Sequence, residues 1–299
     1  MRYSDDTLKS WSNPISATED QRVQNTIRMI KDALFSHAEM RKLQYEVFLQ
    51  GSYANDTNVR QNSDVDVCVM LTSTFETKYV DGYTNKDYGF SDGGTQYNVF
   101  RQYVIEALRN KFGASVVSVG NKCINIGDNT YHVNADVVPA FQYRDYKTIH
   151  SLDPNRFIEG IWFIALDGTL IINYPKQHIQ NGKSKNNRTN HRYKRLVRMM
   201  KHIRNEMVKV GMADGDSITS FLIECLVWNV PDSYITGYST WNETIKQAIK
   251  YLYSQITAGN HKDWGEVSER LYLFHPGRKW TPQKVLYFLN MMYGYLGYV

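Results

Sequence analysis

The sharpest chemical feature of the sequence is a pair of carboxylates, Asp64-Val65-Asp66, at the head of the apolar run Val67-Cys68-Val69-Met70-Leu71. In a strand, positions i and i+2 project to one face, so the two carboxylates lie side by side. Adjacent carboxylates repel unless a cation bridges them. Mg²⁺ suits such a place, because it takes hard oxygen ligands and completes its shell with substrate phosphates. Upstream, Leu49-Gln50-Gly51-Ser52-Tyr53 carries a Gly-Ser turn at the end of a short apolar run. Gly51 permits close backbone approach to a phosphate, and Ser52 adds a hydroxyl beside the turn's backbone N–H groups. Two-metal phosphoryl chemistry, in which one ion activates an attacking hydroxyl and the other steadies the leaving pyrophosphate, calls for a third carboxylate. Asp136, in His132-Val133-Asn134-Ala135-Asp136-Val137-Val138, precedes another apolar strand segment and is preferred to Asp128, which falls in a turn. Asp214-Gly215-Asp216 has the same acid-x-acid spacing but reads as a loop and helix N-cap.

The elements that must position these residues follow from periodicity. Val23, Ile27, Ile30 and Leu34 recur at helical spacing and predict a long amphipathic helix over 19–35. Tyr45 to Gln50 reads as a short strand broken by Gly51-Ser52, and 64–71 as a buried strand. Residues 72–97 look like a surface excursion, and Tyr97 to Lys111 a second helix. Strands are expected at 116–119, 122–126, 131–141, 160–166 and 169–173, the last two joined by the hairpin signal Asp167-Gly168 and closed by Pro175. A polar, basic connector over 180–192 then leads to helices near 193–210, 217–229, 240–256, 262–273 and 281–297. The composition thus divides a mixed α/β half, 1–178, from an all-helical half, 179–299.

At 299 residues, 42% hydrophobic and 22% charged, the chain is too apolar for global disorder. Its net charge of +5 is unevenly spread: Lys183 to Lys209 holds ten Lys and Arg against the single Glu206, a local +9 on a body of −4. Such a stretch attracts phosphate. Cys68, Cys123 and Cys225 are odd in number and scattered, which argues for reduced core thiols in the cytoplasm and against a disulfide framework. The polar N-terminus lacks a signal-peptide apolar region, and no apolar run approaches the roughly 18 residues of a membrane span. The eight His show no His-x-x-x-His spacing for zinc.

The Gly-Ser turn, Asp-x-Asp strand and third Asp together resemble the DNA polymerase beta-like nucleotidyltransferase superfamily. More closely, Phe48-Leu49-Gln50-Gly51-Ser52-Tyr53 with Thr57-Asn58-Val59-Arg60 and Ser63-Asp64-Val65-Asp66-Val67 is similar to the bacterial cGAS/DncV-like nucleotidyltransferases (CD-NTases), in particular their CdnE-like clade. The resemblance implies an α/β + α fold: a polymerase-beta-like core of mixed sheet with helices, and a C-terminal helical domain closing the nucleotide cleft. It implies a cytoplasmic monomer that makes cyclic oligonucleotide second messengers from NTPs, UTP and ATP among them, and acts on a downstream CBASS anti-phage effector through its product. No membrane and no long nucleic acid are required. It further implies that Asp64, Asp66 and Asp136 hold two Mg²⁺, with Mn²⁺ as a substitute. Gln50, Gly51 and Ser52 would bind nucleotide, Lys201 and Ser220 the donor triphosphate, and Asn173, in Asn173-Tyr174-Pro175, a uracil edge. Three other readings share parts of this pattern: a template-independent RNA or tRNA nucleotidyltransferase, an antibiotic or protein nucleotidyltransferase, and a non-catalytic nucleic-acid-binding module resting on the +9 stretch.

Overall fold

The computed structural model describes residues 1–14, 16–59 and 64–298. Along the chain, helices α1 (Asp5–Trp11) and α2 (Ala17–Ser36) precede strand β1 (Tyr45–Leu49), the single-turn helix α3 (Gly51–Ala54), strand β2 (Val65–Lys78) and helix α4 (Tyr97–Phe112). Strands β3 (Val117–Val119), β4 (Ile124–Ile126), β5 (Ala135–Asp145), β6 (Ile158–Ile164) and β7 (Leu170–Asn173) follow. The chain then turns helical: α5 (Pro175–Arg188), α6 (Arg192–Lys209), α7 (Ser220–Trp228), α8 (Asp232–Thr236), α9 (Trp241–Thr257) and α10 (Pro282–Tyr295). Among the described residues, no helix is long and apolar enough to cross a membrane.

Two compact units result, an α/β unit of Ser16–Tyr53 and Gln61–Lys176 and a helical unit of Met1–Ile15, Ala54–Arg60 and Gln177–Val299. Composition suggested one cut at 178/179; the structure instead gives two stretches of the N-terminal half to the helices. Non-local contacts explain both. Leu8 is buried in the helical core and Asp5 accepts a hydrogen bond from the Asn242 N–H. Thr57 is gripped by Lys201 and Glu224.

In the α/β unit, β5 is the central strand. It runs parallel to β2 and antiparallel to β4 and β6, in a sheet ordered β1-β2-β5-β4-β3 with β6 and β7 extending from β5. Val65, Val67, Cys68, Val69, Met70 and Leu71 are all fully buried, as a strand covered on both faces requires. Ile30 and Leu34 of α2 and Phe100, Val104 and Leu108 of α4 belong to the same core. Strand β2 continues to Lys78, through a register shift between Leu71 and Phe75. The expected excursion therefore begins only after Lys78; the Thr-rich residues 72–77 read as polar surface but are β-branched enough to extend a strand.

In the helical unit, Val197, Met200 and Ile203 of α6 pack with Leu222 and Leu226 of α7, Ile245 and Leu252 of α9, and Phe288 and Met292 of α10. Two expectations fail here. The basic connector is helix α5, opened rather than preceded by Pro175, whose fixed φ suits the first helical position. The expected helix at 262–273 is irregular chain with a bridge between Gly265 and Tyr272 and Glu269 at φ +56°. Trp264, Val267 and Leu271 imitate helical spacing, but Gly265 favours the bend.

Candidate active site

Strand pairing brings two of the three carboxylates together. The parallel register of β2 and β5 sets Asp66 opposite Asp136, so residues 70 positions apart in sequence become sheet neighbours. Asp64 immediately precedes β2 and is exposed, while Asp66 and Asp136 are half-buried. Burial, reinforced by the charge of Asp64, raises the Asp136 pKa above the ordinary carboxylate value, and a hydrogen bond from Asn125 partly opposes this. The amide Nδ2 of Asn125 donates to Asp136 Oδ1 at 2.6 Å.

The Gly-Ser segment is a short helix, not merely a turn. The Gln50 N–H donates to the Asp66 carbonyl at 2.9 Å, which carries the β1–β2 pairing to its last residue. Gly51 then takes φ +66°, a left-handed conformation that side chains resist. Its Cα lies directly against the catalytic candidate: a Cβ there would sit 1.9 Å from Asp66 Oδ2. Ser52 follows in the first turn of α3, where backbone N–H groups have no partner within the helix. Tyr53 ties the turn to α2 by donating from its hydroxyl to Glu19 Oε1 at 2.7 Å.

Asn173 is the last residue of β7, opposite Ile161 of β6, and half-buried. The next residue, Tyr174, packs over Gly160, where a Cβ would meet the Asn173 carbonyl at 2.9 Å and Tyr174 at 3.0 Å. Gly160 is thus part of what sets the backbone of Asn173.

Ser220 opens α7, but the N-cap is Thr219, whose hydroxyl accepts from the Leu222 N–H. The Ser220 hydroxyl is therefore not the capping group. Nor do Asp214 and Asp216 cap this helix; Asp214 accepts from the Asp216 N–H and the Ser217 hydroxyl within its own loop.

Lys201 lies in the interior of the helical unit. It is 2% exposed, and its ammonium donates to Glu224 Oε2 at 2.8 Å, Thr57 Oγ1 at 2.9 Å and the Thr57 carbonyl at 3.1 Å. Those three bonds use all three donors of an ammonium and engage it within the helical unit. The Glu224 carboxylate also contacts His178 Nε2 at 2.9 Å. Burial alone would raise the Glu224 pKa, but Lys201 and His178 outweigh it and hold the carboxyl well below its usual range. The basic stretch behaves similarly: Lys185, Arg198, Lys201 and Arg204 are buried, and Lys183, Arg188, Arg195 and Lys209 are exposed. A groove of about 530 Å³ in the helical unit, lined by Met212, Ala213, Phe288 and Met291 among others, contains none of the candidate site residues.

Residues that sequence reasoning missed are Asn125 and Glu224. Asn125 sits on a three-residue strand and carries no motif; only the β4–β5 register brings it to Asp136. Glu224 lies in the apolar helix Ser220–Trp228, and an acid in such a surrounding is the signal that could have marked a buried pair.

The site consists of all-oxygen, hard donors, which suits Mg²⁺ or Mn²⁺ and not a soft metal. Among the described residues, no three His, Cys, Asp or Glu side chains are gathered into a ready-made metal cage. Mg²⁺ does not need one, since it is commonly held by one or two carboxylates plus substrate phosphates. A mixed sheet with neighbouring acidic strands, a glycine turn pressed against one of the acids, and a separate helical unit define a nucleotidyltransferase. A nucleotidyltransferase domain model matches residues 28–117, and a model of the cGAS/DncV-like nucleotidyltransferase C-terminal helical domain matches 180–297. The chain is 42% identical over 296 residues to the cyclic dipyrimidine nucleotide synthase CdnE of Cecembia lonarensis, covering 99% of each. It is 39% identical to the Legionella pneumophila protein of the same name, covering 97% of each. Among solved structures it resembles the Rhodothermus marinus CdnE c-UMP-AMP synthase with Apcpp and Upnpp, with a TM-score of 0.86, 32% identity and coverage of 99% of this chain and 97% of that one. The chain belongs to the cGAS/DncV-like nucleotidyltransferase family.

Proposed function

We propose that the protein is a cyclic dinucleotide synthase that joins NTPs with release of pyrophosphate and prefers uridine at one position at least. The observation that carries the chemistry is the parallel register of Asp66 and Asp136 beside Gly51, which sets two carboxylates and a glycine backbone together at the start of two interior strands. The uridine preference is supported by Asn173 and by relatives named for cyclic dipyrimidine synthesis at 42% and 39% identity.

Asp64, Asp66 and Asp136 would hold two Mg²⁺ ions together with phosphate oxygens of the donor. When bound, the ions lower the pKa of the attacking hydroxyl and neutralise charge on the leaving pyrophosphate. Gln50, Gly51 and Ser52 hold the donor triphosphate, and the backbone at Gly51 approaches it without a side chain in the way. The 3′-oxygen of the acceptor forms a bond to the donor α-phosphorus as the bond from that phosphorus to the bridging pyrophosphate oxygen breaks. The hydroxyl proton leaves to a carboxylate of the site or to water as the bond forms. The linear intermediate turns end for end, and a second attack of the same kind closes the ring. Asn173 reads the O4 and N3–H edge of uracil through its amide. The product serves as a second messenger in CBASS anti-phage signalling.

Incubating the purified protein with each labelled NTP and Mg²⁺ or Mn²⁺, followed by phosphatase and chromatography, tests this reading. Small phosphatase-resistant products containing label from UTP are expected. A ladder of lengths would indicate a polymerase instead, and no pyrophosphate release under any condition would overturn the enzymatic reading. Asp64→Asn with Asp66→Asn should abolish turnover while the fold persists by circular dichroism.

A further inference from the structure

We infer that Asn125 is a positioning residue for the third carboxylate, fixing the orientation in which Asp136 faces a cation. The inference rests on the reading of Asp136 as a metal ligand. Across the sheet, Asp66, Asp136 and Asn125 occupy one row on three adjacent strands, β2, β5 and β4. The middle carboxylate therefore has a like charge on one side and a neutral amide on the other. Asn125 Nδ2 donates to Asp136 Oδ1 at 2.6 Å, a charge-assisted bond at the short end of the range. The same nitrogen lies 3.5 Å from Cys123 Sγ, two residues back along the chain, and the Cys123 thiol is itself hydrogen-bonded to Asp136.

The amide's orientation is determined by its surroundings. Its oxygen lies over Gly120, where a Cβ would come within 2.8 Å of Asn125 Oδ1. That glycine is held by a bond from its N–H to the Cys123 carbonyl and by Arg101 Nη2, which donates to its own carbonyl. Reversing the amide would turn its oxygen toward the Asp136 carboxylate, acceptor against acceptor. An amide is also the side chain that fits electrostatically. It donates without ionising, so it neither adds a third negative charge to the row nor competes with a cation for it. Partners that orient a metal-binding carboxylate typically change metal affinity or activity by about ten- to a hundredfold when removed.

The test is Mn²⁺ binding to the nucleotide-free protein, followed by electron paramagnetic resonance, with the Mg²⁺ dependence of pyrophosphate release measured alongside. Asn125→Ala should weaken Mn²⁺ binding by about ten- to a hundredfold and raise half-saturating Mg²⁺ in parallel. The NTP KM at saturating Mg²⁺ should change little. Asn125→Thr, which restores a donor on a strand-compatible side chain, should recover part of the loss, and Asn125→Ala in an Asp136→Asn background should add nothing. Should Asn125→Ala fail to fold, Asn125→Leu, of similar size and without a donor, carries the same measurement. Unchanged Mn²⁺ affinity and Mg²⁺ requirement in a folded Asn125 variant, with Asp136→Asn inactive, would overturn this inference alone. An Asp136→Asn protein with undiminished metal binding and turnover would overturn the reading of the site itself.

Discussion

Gly51 is constrained twice over, by a φ that side chains resist and by a catalytic candidate packed against its Cα. Gly51→Ala must either move the Asp66 carboxylate or unwind α3. Displacements of about 1 Å at a reacting centre cost about a hundredfold, so turnover in a pyrophosphate-release assay should fall at least that far in a protein of normal circular dichroism. Turnover near the wild-type value would mean that Gly51 does not border the reacting site. At Asn173 the expected effect is on choice rather than rate. Asn173→Ser shortens the side chain beyond reach of a base edge, and the preference for UTP over other NTPs should drop by about tenfold, the worth of one good hydrogen bond. An unchanged product profile would refute its role. The Asp-x-Asp spacing was visible in the sequence because it is local, although Asp64 falls just ahead of β2 rather than within it. The role of Asn125 was not, since its partner is 11 residues away on another strand.

The buried residues of helices α5 to α7 show that a run of positive charge can belong to the interior. Lys201 of α6 pairs with Glu224 of α7, both under 5% exposed. Replacing one member leaves a buried charge without its partner, at a cost of about 3–5 kcal/mol. Lys201→Met should therefore lower the urea midpoint strongly, and Lys201→Met with Glu224→Leu should cost clearly less than the sum of the single changes. Additive losses would show that the two side chains are not coupled. Lys185 of α5 donates to the Trp228 and Val230 carbonyls, and burial pulls its pKa down to about 8, with Asp232 opposing. The unfolded chain, with a lysine pKa near 10.4, binds more protons than the folded one between about pH 8 and 10, so this residue makes stability rise with pH across that window. Comparing unfolding of the wild type and Lys185→Met from pH 7 to 10 isolates the effect. The wild type should gain stability relative to the variant as pH rises, and parallel curves would exclude it. At this scale the sequence located most helices and strands, but it misread α5, whose polar face concealed a helix, and 262–273, where three apolar residues fell at helical spacing by coincidence.

For the molecule as a whole, the +5 net charge sums a −4 body, which carries the sheet's carboxylates, and a +9 basic segment of which four members are internal. With fewer exposed cations than the raw count of ten suggests, a long nucleic acid is a poorer fit than a small nucleotide. Pyrophosphate release should accordingly proceed with NTPs and divalent metal alone. A strict requirement for added DNA or RNA would contradict this, and its salt dependence would count the phosphates engaged. What the sequence determined by itself was whatever depends on neighbours along the chain: the Gly-Ser turn, the paired aspartates, the apolar strand behind them, the sheet-then-helix order and the family likeness they carry. Only the tertiary structure decided which charges are spent on other charges. It opposed Asp66 to Asp136, gave Asp136 its amide, returned Asp5 and Thr57 to the helices, and enclosed Lys201 with Glu224. Strand register and ion pairing are set by packing between residues far apart in sequence, and no local spacing records them.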